Sequence, residues 1–229
     1  YDKDEGPIGG LKNPPKVTDN LLYFSLICKF LGLIISWFIN FPFFITYLAF
    51  FILSVIYSHP ATRWKANPYL GILTIGIGQG GIAFIAGWFS WTITIESLQL
   101  FIFGMLTTVF MSMGIYPLTQ LYQVEEDKKR NDQTFAVYWG VIGTFKFSVL
   151  CIFLSSIAII AVLYLRKSYI DLVLISIFYI IFLTQITIWA KNYRAEDIMA
   201  NYSKIMKLNY SNGLGFMIYI TLHLVNILR

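Results

Sequence analysis

Seven long apolar runs dominate the chain, at 21–39, 41–57, 69–90, 97–121, 136–165, 169–190 and 212–228, separated by Pro, Asn and clusters of charge. Each is close to the roughly 20 residues that carry a helix across a bilayer. No water reaches the bilayer core, so backbone groups there must bond within their own segment, which a helix allows. The expected fold is an all-α membrane protein with seven transmembrane helices, read as a single domain over residues 1–229. Composition agrees, with 57% hydrophobic and 13% charged residues, about half the charged share of a soluble domain. A soluble enzyme, a disordered chain and a nucleic-acid partner are excluded on that basis. The net charge of +5 reports loop orientation in a membrane protein. Cys28 and Cys151 lie in apolar runs and read as small packing residues, with no disulfide or zinc framework.

Seven spans put the N-terminal segment and the loops near 58–68, 122–135 and 191–210 on one face. That face holds 12 of the 17 Lys and Arg residues, so the positive-inside rule makes it cytoplasmic. It also holds 10 of the 12 acids, which that rule does not ask for. Two acidic clusters stand out, Asp2-Lys3-Asp4-Glu5 and Glu125-Glu126-Asp127. Carboxylates beside Lys and Arg suit a hard cation such as Mg²⁺ together with a phosphate ligand: the oxygens take the metal and the cations take the remaining phosphate charge.

One such cluster alone reads as a solvated, salt-bridged loop. Spacing changes the balance. Thr119, Gln123 and Asp127 recur every four residues, with Glu126 adjacent, so they are expected on one helical face beyond Pro117. The loop Tyr57–Lys65 on the same face adds Arg63 and Lys65, two residues apart, near the Tyr57 hydroxyl. Three such segments together describe a metal–diphosphate site at the mouth of a helical bundle.

The stretch YDKDEGPIGG at 1–10 resembles the end of the first Asp-rich motif, of N-x-x-x-D type, in the UbiA-type membrane prenyltransferases. YSHPATRWK at 57–65 is similar to that family's Tyr-Ser-x-Pro-Pro-x-Arg-x-Lys loop, and YQVEEDKKRNDQT at 122–134 resembles its second Asp-rich motif. The order of the motifs and the helices between them fit as well. The resemblance implies a nine-helix bundle of which this chain lacks the first two helices. It also implies transfer of a prenyl group from an isoprenoid diphosphate to an aromatic or lipophilic acceptor, assisted by Mg²⁺. By that resemblance Asp2 and Asp127 are the central acids, and Asp2, Glu5, Gln123, Glu126 and Asp127 form the metal set. Tyr57, Arg63 and Lys65 hold the diphosphate. The expected location is a bacterial inner membrane, with the site loops cytoplasmic and membrane lipid as surroundings.

The chain departs from the family pattern in three places. The Asn that opens the first motif is not in the sequence, Gly6 stands at a second acidic position, and Gln123 replaces a leading Asp. Asp132 falls at a basic position and is left outside the metal set. Two other readings stay open on the residues: a catalytically degenerate protein of the same fold, and a small-molecule transporter. A transporter would carry its ionisable groups at the bilayer midplane, whereas most acids here lie in loops.

Elsewhere, the run Gly76–Gly81 reads as close helix packing, since no strand precedes it and no Lys-Ser/Thr follows it. His223 reads as a packed or hydrogen-bonded histidine, and His59 as a possible helper in its loop. Lys29 and Lys146, inside apolar runs, are open between function and snorkelling. The segment 191–210 is expected along the membrane interface.

Overall fold

A computed structural model describes residues 6–225. Among the described residues the chain is helical, with an isolated bridge between Ile8 and Leu11 as the one β-type pairing. The helices are α1 (Asp19–Ile39), α2 (Phe41–Ser58), α3 (Pro68–Ile75), α4 (Ala83–Trp91), α5 (Leu98–Gln120), α6 (Val124–Lys129), α7 (Phe135–Leu165), α8 (Tyr169–Lys191) and α9 (Ile198–Leu224). A π-helical segment, Gly76–Ile82, joins α3 to α4 into one continuous rod. Among the described residues six rods are long and apolar enough to cross a membrane: Asn20–Ile39, Phe41–Ser58, Pro68–Trp91, Leu98–Gln120, Phe135–Leu165 and Tyr169–Lys191.

The seventh run takes a different form from the one expected. It is the back half of α9, and the segment 198–210 is the front half of the same helix. That front half is buried against the bundle at Asn201, Tyr202, Ile205 and Leu208. The Trp189 indole donates to Asn201 Oδ1 at 3.1 Å, and Asn201 Nδ2 donates to the Arg194 carbonyl at 2.8 Å. These bonds hold 198–210 to the protein. Among the described residues α9 is more polar than the six rods, with Asn201, Lys204, Lys207, Asn209 and Asn212 along it, and it is not one of them.

Local chemistry explains the boundaries. Asn40 accepts from the Phe43 amide at 2.8 Å and so caps α2, whose Pro42 needs no donor there. Asn67 caps α3 in the same way through the Tyr69 and Leu70 amides. Inside α7, Gly140 takes φ +67 and ψ 178, a conformation essentially limited to glycine, and the helix bends there.

The centre of the bundle is the α5–α7 pair, with Leu118, Phe145, Ile152 and Ile186 fully buried or nearly so. Small residues let these helices close. A Cβ on Gly114 would stand 2.6 Å from Ile152 Cγ1, and Ser155 donates to the Thr107 carbonyl at 2.8 Å. The glycine run makes the next contact, as expected from its composition. A Cβ on Gly80 would meet Val109 Cα at 2.5 Å, while Thr108 Oγ1 donates to the Gly80 carbonyl at 3.0 Å. The obstacle is backbone, so it cannot swing aside. Gly80→Leu is therefore expected to destabilise the bundle by at least the ~1–3 kcal/mol typical of overpacking, read as a lower thermal midpoint in detergent. Gly87→Leu, where an added Cβ meets nothing within 4 Å, serves as the control and should melt like the parent.

Candidate active site

The end of α2, the end of α5 and the start of α7 meet at one end of the bundle. α2 stops at Ser58, and the loop that follows folds back through Thr62, whose hydroxyl donates to the Ile56 carbonyl at 2.6 Å. Arg63 sits in the left-handed region at φ +40, which non-glycine residues adopt at a cost of about 1–2 kcal/mol. Its Nη2 reaches across to Asp132 Oδ2 at 2.9 Å. The strained turn is held by that ion pair, since Asp132 is only 7% exposed.

The acidic turn is built differently from the single helical face that the four-residue spacing implied. α5 ends at Gln120, residues 121–123 form a tight turn with Gln123 N–H bonding the Gln120 carbonyl at 2.9 Å, and α6 begins at Val124. Thr119 therefore does not continue the face of Asp127. The break is stable because other groups take the freed polar atoms. Gln120 Oε1 accepts from the Ala136 amide at 3.1 Å, and the Tyr193 hydroxyl donates to the Leu121 carbonyl at 3.0 Å. The turn leaves Asp127 pointing inward, 6% exposed.

Asp127 Oδ2 accepts from Thr134 Oγ1 at 3.0 Å, and Oδ1 accepts from Arg130 Nη2 at 3.1 Å. Burial pushes this carboxyl above the ordinary carboxylate range, against the downward pull of Thr134 and Arg130. Arg130 also reaches Glu126 at 3.5 Å and lies 3.7 Å from Asp132. Lys65 belongs to the same charge cluster. Burial depresses its ammonium below the usual lysine range, while Asp132 and Asp127 push it back up. Glu125 faces outward and bonds Lys128 at 2.8 Å, which holds its carboxyl below the usual range.

Tyr57, the third residue expected on the diphosphate, shares a 2.7 Å hydrogen bond with the Tyr116 hydroxyl and lies within electrostatic reach of Asp127. The N-terminal segment arrives from the other side. Gln123 Nε2 donates to the Pro7 carbonyl at 3.4 Å, and a Cβ on Gly6 would come 2.7 Å from Glu126 Oε2. The glycine at this acidic position of the motif thus lets the segment approach the second acidic cluster. Asp2 and Glu5, expected as ligands, lie outside the described residues.

The sequence reading missed Arg130, Asp132, Thr134, Tyr116 and Gln120 as parts of this site. Thr134 is the terminal residue of the 122–134 motif, and Asp132 lies outside the metal set expected from sequence because it falls at a basic position of that motif. Tyr116 carried no signal, because one tyrosine inside a long apolar run resembles any other. Of the residues outside the site, Lys29 bonds Ser54 Oγ at 2.8 Å and sits 5.9 Å from the Phe51 ring centroid, so its charge is held between α1 and α2. His223 bonds Asp171 at 2.9 Å, at the opposite end of the bundle.

A family model described as the UbiA prenyltransferase family matches residues 16–210. The chain belongs to the UbiA prenyltransferase family. A solved structure of a UbiA homolog from Archaeoglobus fulgidus, bound to Cd²⁺, aligns with a TM-score of 0.63 at 19% identity, covering 85% of this chain and 73% of that one. That likeness establishes the UbiA-like all-α fold. Comparison with curated proteins gives no match. An integral membrane protein with prenyltransferase-type function follows from UbiA family membership, and the Gly6–Pro7 end of the first motif meets the 57–65 and 122–134 motifs at one end of this fold.

Proposed function

We propose that the chain transfers a prenyl group from an isoprenoid diphosphate to an aromatic or lipophilic acceptor within the membrane. The observation that carries this reading is the convergence of Arg63 and Lys65 with Asp127, Glu126 and the Gly6–Pro7 segment. Arg63 and Lys65 bind the diphosphate, both supplying positive charge to its oxygens. Arg63 offers a planar donor fork and Lys65 a compact ammonium. Arg130 and Thr134 orient Asp127, and the Tyr57–Tyr116 pair presents a hydroxyl at the edge of the site.

Among the described residues no three His, Cys, Asp or Glu side chains come together as a metal site, and the pair Asp127 and Glu126 suits a divalent cation whose shell a diphosphate completes. The two oxygens of Asp127 accept one bond each from Thr134 and Arg130, and a carboxylate has roughly four acceptor positions. Mg²⁺ takes few protein carboxylates and completes its shell with phosphate oxygens. Asp127 and Glu126 would hold it, with Gln123 and, from the first motif, Asp2 and Glu5. A divalent cation held by these residues would supply positive charge to offset that developing on the departing diphosphate. The bond that breaks joins the allylic carbon to the diphosphate oxygen; the acceptor supplies the new electron pair and releases a proton. The charged end of the site keeps the anion at the membrane surface while the apolar bundle keeps water from the allylic cation. By the positive-inside argument the site faces the cytoplasm.

Membranes containing the full-length protein, given labelled isoprenoid diphosphates and candidate acceptors, test this directly. Prenylated product is expected in Mg²⁺, and EDTA should abolish it. Turnover that is indifferent to EDTA overturns the metal assignment. Substrate uptake into proteoliposomes without diphosphate release would replace the enzyme reading with transport.

A further inference from the structure

At the end of the bundle opposite Asp127, α7 turns into α8 through Arg166, Lys167 and Ser168. Lys167 occupies φ +56, where glycine is the common choice, and its amide bonds the Tyr164 carbonyl at 3.0 Å. Arg166 and Lys167 are exposed, and among the described residues neither forms a side-chain hydrogen bond or an ion pair. The nearby acid does not neutralise them. Asp171, 8% exposed, is engaged by His223 at 2.9 Å, and the Tyr219 ring packs on that imidazole at 4.7 Å.

These groups surround a cavity of about 730 Å³ lined by Arg166, Lys167, Tyr219 and His223. Through the shared walls Leu163 and Tyr219 it adjoins a second cavity of about 500 Å³ between α5, α7, α8 and α9. The second cavity is apolar, faced by Phe178 and Leu174 on α8 and by Gly213 on α9. It opens sideways, because its α9 residues Phe216 and Ile218 are 61% and 52% exposed. Tyr164 and Tyr169, both more than half exposed beside the turn, mark the level where amphipathic rings meet the headgroup zone. A cationic, donor-rich pocket at headgroup depth, continuous with an apolar groove running inward, has the two-part chemistry of an anionic amphiphile. The phosphate matches Arg166 and Lys167, and a hydrocarbon chain matches the groove.

We propose that this pair of cavities binds an anionic phospholipid of the leaflet facing away from the Asp127 site, with its phosphate on Arg166 and Lys167 and one acyl chain between α8 and α9. The lipid fills the space between two ties that fasten α9, the Trp189–Asn201 bond at one end and the His223–Asp171 bond at the other.

Delipidated full-length protein in detergent, titrated with phosphatidylglycerol or phosphatidylcholine and followed by thermal melting and by native mass spectrometry, tests the assignment. Phosphatidylglycerol is expected to raise the midpoint more than phosphatidylcholine, and to be retained at least tenfold better. Arg166→Ala/Lys167→Ala should abolish that preference without changing basal prenyl transfer. Gly213→Leu should block the chain site while melting normally without lipid, because an added Cβ there meets nothing within 4 Å. Equal response to both lipids, preference surviving in either variant, or the same shift from inorganic phosphate alone would each overturn the proposal. A shift with a polyprenyl phosphate and none with phosphatidylglycerol would replace the bilayer lipid with an isoprenoid one.

Discussion

Asp127→Asn is expected to lower kcat/KM for the isoprenoid diphosphate by about 10²–10³-fold, the scale seen when one preorganised electrostatic group is removed from a site. The reason is local. Asp127 is the most buried acid of the cluster, 6% exposed, and its two oxygens are aimed by Thr134 and Arg130. Asparagine keeps the shape and still offers an oxygen to Thr134, so the fold should survive and the thermal midpoint should stay near that of the parent. The charge that would hold Mg²⁺ is gone, and the Mg²⁺ concentration needed for half-maximal rate should rise. Asp127→Ala removes the acceptor as well. It leaves the buried Thr134 hydroxyl without its partner, which adds a stability loss of about 1–3 kcal/mol. An asparagine variant with near-parental turnover would show that Asp127 holds no metal; loss of activity in alanine alone would point to a purely structural acid.

The difference between these two variants reflects how the site was legible in the sequence. Residue type and order placed Asp127, Arg63 and Lys65 in one group, because loops that alternate along a spanning chain must share a face. The same reasoning treated 119–127 as unbroken helix, since a period of four is all that spacing can report. The turn at 121–123 depends on Gln120 finding the Ala136 amide and Tyr193 finding the Leu121 carbonyl, contacts made 16 and 72 residues away along the chain. Such long-range partners leave no periodic mark. The fold shows the same division. Apolar length located the six spanning rods, whereas the tie of the front half of α9 to the bundle through the Asn201–Trp189 bond left no mark in the sequence. The glycine run read correctly as packing because small size is itself the cause of close approach.

Asp132 is the residue whose role changed most, and its variants are expected to behave unlike those of Asp127. It was set aside because it falls where the family carries a basic residue, yet in the fold it is buried and holds Arg63 at 2.9 Å in a left-handed turn. Arg63→Ala should raise the KM for the diphosphate roughly 10–10²-fold, the scale of one hydrogen bond to a charged group. Arg63→Lys should recover little of this, because an ammonium cannot reproduce the guanidinium fork. Asp132→Asn leaves the guanidinium present but loosens it, so a smaller rise in KM is expected, with the Mg²⁺ requirement unchanged. In the double variant the two losses should not add, since Asp132 acts through Arg63. Measuring KM and the half-saturating Mg²⁺ concentration for the four proteins separates the roles. If Asp132→Asn shifts the Mg²⁺ requirement as Asp127→Asn does, Asp132 belongs to the metal set; if its effect adds in full to that of Arg63→Ala, the ion pair does not position the arginine.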